Sequence, residues 1–174
     1  MSEKILLKNI NSDKIDHLLK QEIARLYIEV FSEPPRNEVI IFENIFKQIF
    51  EKNSIFTLLF QDNILIGFID AYEIQHFTDK NKFEIKDKDS IYISAFAIDK
   101  NARGQGYGKL LFEKHLSALK EKYKYVYSRS RVDVKAIVNM FKKYNFQIIL
   151  EYEVETNGVT SRKYMYEKAL TSKQ

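Results

Sequence analysis

Three of the five glycines in this chain of 174 residues, Gly104, Gly106 and Gly108, fall within five positions. They lie between an apolar segment, 92–98, and a segment whose apolar residues recur at helical spacing. Glycine allows backbone conformations that other residues avoid, and a loop that opens a helix presents unpaired N–H groups at the positive end of the helix dipole. The pattern therefore predicts a strand, an anion-binding loop and a helix, suited to a phosphate or pyrophosphate, with Arg103 as an additional cation.

Two common phosphate-binding motifs differ from this glycine cluster. The dinucleotide fingerprint G-x-G-x-x-G has a different spacing of its glycines. The P-loop requires Ser or Thr directly after its lysine, but in this chain Gly108-Lys109 is followed by Leu110. A turn that only starts a helix would not need three glycines. The cluster is therefore interpreted as a binding loop of a different kind.

The periodicity of the apolar residues predicts a mixed α/β sheet protein. Strands are expected at 4–10, 55–61, 64–74, 90–98, 123–128, 146–153 and 162–166, and helices at 13–31, 42–50, 107–119 and 134–144. We expect Ser12 or Asp13 to cap the first helix, Asp62-Asn63 and Asn157-Gly158 to form hairpin turns, and Asn145 to end the last helix. The polar, lysine-rich stretch 76–89 is interpreted as a loop.

Composition excludes several classes of function. The chain has no cysteine, a net charge of +4 and three scattered histidines, and it has no apolar run near the roughly 18 residues of a membrane span. Metal sites, thiol chemistry, membrane insertion and nucleic-acid binding are therefore not expected. We expect one cytoplasmic domain over residues 1–174.

The segment Arg103-x-x-Gly106-x-Gly108 resembles the (Arg/Gln)-x-x-Gly-x-(Gly/Ala) motif of the GNAT superfamily of acetyl-CoA-dependent N-acetyltransferases. The strand ending in Phe96-Ala97-Ile98 resembles the splayed fourth strand of that family, and Phe141 to Phe146 resembles its late Tyr-x-x-x-Gly-Phe helix end. The order of elements also agrees. The resemblance implies a mostly antiparallel central sheet with one splayed pair of strands, flanked by about four helices.

Acetyl-CoA is the co-substrate that the resemblance implies. The backbone of Phe96, Ala97 and Ile98 would pair with the pantetheine arm, and the segment from Arg103 to Lys109 would hold the pyrophosphate. Phe141, at the family's tyrosine position, would lie beside the cofactor. The implied cofactor-binding residues of this strand segment and of the glycine loop are Phe96, Ala97, Ile98, Arg103, Gly104, Gln105, Gly106, Tyr107, Gly108 and Lys109.

The catalytic residues are less clearly marked, because two positions depart from the family pattern. Phe141 replaces the tyrosine that often protonates the leaving thiolate, so Tyr144 is the remaining candidate acid. Ser94 stands where some relatives carry a carboxylate, so the candidate bases are His76, Glu33 and, on the third strand, Asp70 and Glu73. These two have opposite strand parity, so only one of them can face the cleft.

The resemblance implies transfer of an acetyl group to a primary amine by direct attack within a ternary complex. Glu33 and Arg36, in the loop that contains Pro34 and Pro35, are candidate acceptor-binding residues, and the amine is a small molecule or a protein. The alternative is a catalytically silent CoA-binding sensor or structural protein, and a homodimer is compatible with either.

Overall fold

The computed structural model describes residues 4–34, 40, 42–86, 88–156 and 158–170. Its strands are β1 (Ile5–Asn11), β2 (Ile55–Gln61), β3 (Ile64–Glu73), β4 (Ser90–Ile98), β5 (Tyr125–Arg131), β6 (Gln147–Thr156) and β7 (Val159–Ala169). Its helices are α1 (His17–Ser32), α2 (Phe42–Ile45, continued by a π-helical turn over Phe46–Phe50), α3 (Tyr107–Leu119) and α4 (Lys135–Lys143). The predicted order of elements is confirmed.

The strands form one seven-stranded sheet in the order β1-β2-β3-β4-β5-β7-β6. Every neighbouring pair is antiparallel except β4 and β5, which are parallel. One core lies between the sheet and α3 and α4, around Leu111, Phe112 and Phe141, and a second lies between the sheet and α1 and α2, around Ile23 and Phe68. The predicted fold class, a mixed sheet with helices on both faces, is confirmed.

The start of α1 differs from the prediction. Residues Ser12–Lys14 form a 3-10 turn, in which the N–H of Ser12 donates to the carbonyl oxygen of Ser54 at 2.8 Å. Asp16 caps α1 instead, because its Oδ1 accepts a hydrogen bond from the N–H of Leu19 at 2.9 Å. The expected cap at Ser12 or Asp13 is therefore wrong, since Ser12 is already bonded to the segment before β2.

The stretch 76–89 contains core residues as well as loop. Phe77 is 2% exposed and stacks on Tyr92 with ring centroids 4.3 Å apart. Two short 3-10 turns, Ile74–His76 and Lys80–Lys82, bring it there. Sequence composition marked this stretch as a loop and missed the buried aromatic ring.

The predicted turns adopt the left-handed backbone conformation that they require. Asp62 and Asn63 have φ of +49° and +67°, Asn145 at the end of α4 has φ of +59°, and Gly158 in the last hairpin has φ of +76°. Asn157 lies outside the described residues. Within the described residues no helix is long and apolar enough to cross a membrane.

Buried His115 on α3 makes stability depend on pH. Its Nδ1 lies 2.9 Å from Thr57 Oγ1, and that hydroxyl donates to Asn9 Oδ1, so Nδ1 must carry the hydrogen. Nε2 is buried, and no polar group of the described chain bonds it. Burial lowers the pKa of His115 from 6.5 to about 3, because a charged ring would be desolvated there.

We expect the free energy of unfolding to fall as the pH is lowered below 6.5, because only unfolded His115 takes up a proton readily. The loss approaches about 1.4 kcal/mol per pH unit between 6.5 and 3, on top of the general effect of acid. Urea unfolding at about pH 7.5 and about pH 5 measures this loss in the free energy of unfolding. His115→Gln should reduce the difference between the two pH values, whereas His17→Gln, at an exposed position, should leave it unchanged. An unchanged difference in His115→Gln would contradict this assignment.

Candidate active site

The parallel strands β4 and β5 separate partway along their length. They pair only from Ser90 and Tyr125 to Ile93 and Ser128. Beyond that point β4 continues to Ile98 along β3, and β5 continues along β7. A wedge-shaped opening therefore lies between the two strands, as the sequence resemblance implied.

A β-bulge in β4 turns backbone groups toward this opening. Asp70 pairs with Ala95 and the next residue of β3 pairs with Ile93, which leaves Ser94 as the extra residue. The N–H of Ala95 and the N–H of Asp99 both donate toward β3, to Asp70 Oδ1 at 3.0 Å and to a β3 carbonyl at 2.8 Å. Because backbone groups alternate along a strand, those of Phe96 point the other way, into the opening.

The backbone groups of the last two residues of β4, Ala97 and Ile98, alternate in the same way. Ile98 also directs its backbone into the opening, whereas Ala97 directs its N–H and carbonyl toward β3. The side chain of Ala97 is buried on the α1 face. Of the three expected pantetheine-binding residues, Phe96 and the N–H of Ile98 therefore have the geometry to pair with a ligand, and Ala97 does not. The carbonyl of Ile98 accepts a hydrogen bond from Arg103 Nε at 3.1 Å.

The glycine loop lies at the end of β4 and opens α3. Gly104 and Gly106 have φ of +79° and +83°, and a Cβ at either position would meet no atom within 4 Å. The space beside them is therefore open to a ligand. The N–H of Leu110 closes the first turn of α3 on the carbonyl of Gly106, and the helix geometry leaves the N–H groups of Gly108 and Lys109 without an acceptor within α3. Left-handed glycines that lead into a helix in this way form an anion-binding concavity.

Arg103 connects this loop to the loop after α1. Its Nε donates to the carbonyl of Ile98 at 3.1 Å, and its Nη1 lies 3.3 Å from Glu33 Oε2. Lys100 Nζ lies 3.9 Å from the same carboxylate. Glu33, expected to face the acceptor, therefore lies against the cations of the glycine loop, and Arg36 lies outside the described residues.

We expect Glu33→Gln to bind acetyl-CoA about two- to fivefold more tightly than the unmodified chain. The carboxylate neutralises Arg103 and Lys100 beside the loop, and a partly exposed ion pair of this kind is worth less than about 1 kcal/mol. Calorimetric titration measures the change. Glu29→Gln removes an exposed carboxylate of α1 that pairs with Arg25, and it should leave the affinity unchanged. Weaker binding by Glu33→Gln would show that Glu33 orients Arg103 for the ligand instead of competing with it.

Asp70 is a fully buried carboxyl group beside the bulge, on the face of the sheet that α1 covers. Only one of its oxygens is bonded, because Oδ1 accepts from Ala95, whereas Oδ2 finds no hydrogen-bond partner among the described residues. Burial raises the pKa of Asp70 to about 8, against the opposing effects of the Ala95 bond and the positive charge of Lys52. A carboxyl group of that pKa is mostly protonated at neutral pH, and it can accept a proton in the ionised form that becomes populated as the pH approaches 8.

Sequence reasoning missed Lys52 and Tyr72, which interact electrostatically with Asp70, and Arg129, whose charge acts on those two residues. Lys52 Nζ lies 4.3 Å from the ring centroid of Tyr72, and the side chain of Ser94 lies close enough to act on the Tyr72 hydroxyl. Arg129 on β5 pairs with Asp79 at 3.1 Å, and its charge acts on both Lys52 and Tyr72. The available signal was an arginine directly after the buried residues 126–128 of the strand YVYSRSR.

The other candidate residues lie elsewhere. Glu73 is exposed at the far end of β3, opposite Ile91, and accepts a hydrogen bond from the Gln75 amide at 2.6 Å. The Tyr144 hydroxyl donates to Glu113 on α3 at 2.7 Å. Burial and this bond raise the pKa of Tyr144 to about 12. Neither residue is brought to Asp70 and the opening of the sheet.

Phe141 is a core residue of α4. It is 3% exposed, and its ring packs against Phe146 and Tyr166 with centroids 4.8 and 4.7 Å away. A phenyl ring has no proton to donate, so this position supplies no acid. Among the described residues, no group of three or more His, Asp or Glu side chains could hold a metal ion.

A sheet that opens between two parallel strands, with a glycine loop at the edge of the opening, forms a cleft suited to a ligand that carries amides and phosphates. The sequence matches the model of the acetyltransferase (GNAT) family over residues 17–146. The chain therefore belongs to the GNAT acetyltransferase family. No curated protein sequence matches the chain significantly.

Solved structures share the fold across almost the whole chain. The ribosomal-protein-S18-alanine N-acetyltransferase of Escherichia coli superposes with a TM-score of 0.72 at 10% identity, covering 97% of both chains. An N-acetyltransferase of Staphylococcus aureus gives 0.72 at 13% identity, covering 97% of this chain and 99% of its own. Ard1 of Thermoplasma volcanium gives a TM-score of 0.69 at 17% identity, covering 97% of this chain and 99% of its own. At these identities the likeness establishes the fold, and the acceptor has to be argued from the site.

Proposed function

We propose that this chain transfers the acetyl group of acetyl-CoA to a primary amine. The observation that carries the proposal is the opening between β4 and β5, which exposes backbone of Phe96 and Ile98 next to the glycine loop. Pantetheine contains two amides that need backbone partners, and pyrophosphate needs converging N–H groups. The backbone from Arg103 to Lys109 would hold the pyrophosphate, with the Arg103 guanidinium as counter-ion.

Asp70 is the proposed general base. It hydrogen-bonds Ala95, the residue next to Phe96, so it lies close to where a thioester paired with Phe96 would end. Its other oxygen, Oδ2, is buried and has no hydrogen-bond partner among the described residues, so we assign it as the atom that accepts the proton. The amine nitrogen attacks the carbonyl carbon, the carbon–sulfur bond breaks, and the proton lost from the amine passes to Asp70.

The proposal assigns no side chain to the leaving thiolate. Phe141 has no acidic proton and Tyr144 is bonded to Glu113, so a solvent proton neutralises the sulfur. We propose direct attack in a ternary complex, because no acylated side chain is needed to carry the acetyl group. Initial rates at varied concentrations of both substrates should then give intersecting double-reciprocal lines, and parallel lines would contradict direct attack.

Thermal unfolding with acetyl-CoA tests the cofactor assignment. Ligand at about 100 times its Kd should add about 2.7 kcal/mol to the free energy of unfolding. For a chain of this length the Tm should rise by roughly 5–10 °C. NAD and ATP serve as controls, because they also carry phosphates but have no pantetheine arm. An equal rise with all three would indicate a general phosphate site and would contradict the proposal.

A catalytically silent CoA-binding protein is the second candidate. The phenylalanine at position 141 and the serine at position 94, which stand where relatives often carry catalytic groups, favour it. It would show the same rise in Tm with acetyl-CoA but no amine-dependent release of CoA.

A further inference from the structure

Lys52 places a primary amine near Asp70, the proposed general base. It lies between α2 and β2, is partly buried, and extends its Nζ over the ring of Tyr72 at 4.3 Å from the centroid. The side chain of Ser94, the extra residue of the bulge at which β4 begins to separate from β5, lies close enough to act on the Tyr72 hydroxyl. The amine is thus connected through one tyrosine to the strand segment that faces the opening.

Asp70 lies close enough to Lys52 for each charge to act on the other group. Its Oδ1 is held by the N–H of Ala95, while Oδ2 is buried and has no hydrogen-bond partner among the described residues. The amine and its proton acceptor therefore share one side of the bulge. Burial lowers the pKa of Lys52, partly offset by Asp70, which increases the fraction of neutral, nucleophilic amine.

Three other lysines of the described residues have different surroundings. Lys47, in the π-helical turn before Lys52, is exposed, and Lys124 and Lys86 have raised pKa values because they are paired with Asp89 and Glu167, respectively. Lys52 combines partial burial, an aromatic surface and a neighbouring carboxyl group with a spare oxygen.

We propose that the chain acetylates its own Lys52. The inference rests on the proposed function, because it requires acetyl-CoA in the opening between β4 and β5. Lys52 Nζ bonds to the acetyl carbon, the carbon–sulfur bond of the thioester breaks, and CoA leaves as the thiolate. The amine proton passes to Asp70, and a solvent proton neutralises the thiolate. The product is a stable amide, so Lys52 is a modification site and not an acetyl carrier.

The modification would change the electrostatic surroundings of Asp70. An acetylated Lys52 loses its positive charge, which removes the cation over Tyr72 and the opposing charge beside Asp70. A cationic acceptor amine would then meet one fewer like charge. The surface that holds Lys52, an aromatic ring and a carboxyl group, is also one that suits an external primary amine.

The test incubates the purified chain with acetyl-CoA and no added amine, and maps acetylated peptides by mass spectrometry over time. We expect acetylation of Lys52 to exceed that of Lys47 by at least about tenfold, because a bound thioester has a high effective concentration. The rate constant should not depend on protein concentration. Lys52→Arg keeps the cation over Tyr72 but should lose this peptide signal, and Lys47→Arg should retain it.

Two results separate the possible failures. If amines release CoA from acetyl-CoA but Lys52 is modified no faster than Lys47, or equally in urea-unfolded chain, self-acetylation is wrong and the proposed function stands. If acetyl-CoA does not raise the Tm at all, both proposals fail. Acetyl-CoA can also acetylate lysines chemically, without binding to the opening. Such acetylation would persist in Gly106→Val, whereas self-acetylation of Lys52 should not.

Discussion

Gly106→Val is expected to weaken acetyl-CoA binding by about 100-fold or more, equivalent to about 2.7 kcal/mol. A Cβ at Gly106 would meet no protein atom within 4 Å, so the branched side chain would fill the space assigned to the pyrophosphate. The φ of +83° at Gly106 also disfavours valine, which costs about 1–2 kcal/mol of stability. Calorimetric titration of the folded variant measures the affinity separately from that cost.

Gly158→Val is the matched control. Gly158 has φ of +76° and equally open surroundings, but it lies in the hairpin between β6 and β7. Both variants should lose stability to a similar extent, a fall in Tm of roughly 2–8 °C. Only Gly106→Val should lose affinity. Similar affinity for acetyl-CoA in the two variants would contradict the position of the pyrophosphate.

Asp70→Asn is expected to lower kcat/KM for acetyl transfer by about 10²–10⁴-fold, the usual contribution of a general base. Asparagine preserves an acceptor for the N–H of Ala95, so the bulge should be retained, but it cannot take up the amine proton. In the unmodified chain kcat/KM should rise with pH through about 8, where Asp70 loses its proton, and level off above it. The Asp70→Asn profile should lack this step and show only the titration of the amine.

The same substitution is expected to stabilise the fold at alkaline pH. The folded-state pKa of Asp70, about 8, lies above its ordinary value of 3.8, so folding favours the protonated form. The contribution of protonated Asp70 to the free energy of unfolding is fully present below pH 3.8 and is lost as the pH rises through 8. At about pH 8.5 the free energy of unfolding of Asp70→Asn should exceed that of the unmodified chain by at least about 1 kcal/mol. This difference corresponds to a rise in Tm of about 2–4 °C.

Asp62→Asn controls for the change from carboxylate to amide. Asp62 also accepts a backbone N–H, that of Lys4 at 3.0 Å, but it is exposed in the hairpin between β2 and β3. It should change neither kcat/KM nor the pH dependence of stability. If Asp70→Asn retained full activity with the same pH profile, Asp70 would be a structural residue that holds the bulge.

Local patterns accounted for the elements that carry the cofactor site. Residues 90–98 and 107–119 were predicted with their observed bounds, because an apolar run and a glycine cluster mark where β4 ends and α3 begins. The left-handed turns at Asp62-Asn63 and Asn145 were also predictable, since residue type alone favours that conformation.

The surroundings of the proposed base could not be predicted in the same way. Lys52, Asp70 and Arg129 come from three distant segments, and only the register of the sheet and the bulge at Ser94 bring them together. Strand parity did show that Asp70 and Glu73 face opposite sides, but it could not show which one is buried. The unbonded oxygen of Asp70 depends on packing that no local pattern encodes.

The most direct test of acetyl transfer measures release of free CoA thiol from acetyl-CoA with a panel of primary amines: a polyamine, an aminoglycoside, free amino acids and peptides with free N-termini. The account predicts that at least one amine gives sustained turnover, that its acetylated product appears in equal amount, and that Asp70→Asn and Gly106→Val suppress both. Thiol release that is the same with and without every amine, from a chain that binds acetyl-CoA, would contradict the account and leave a silent CoA-binding protein.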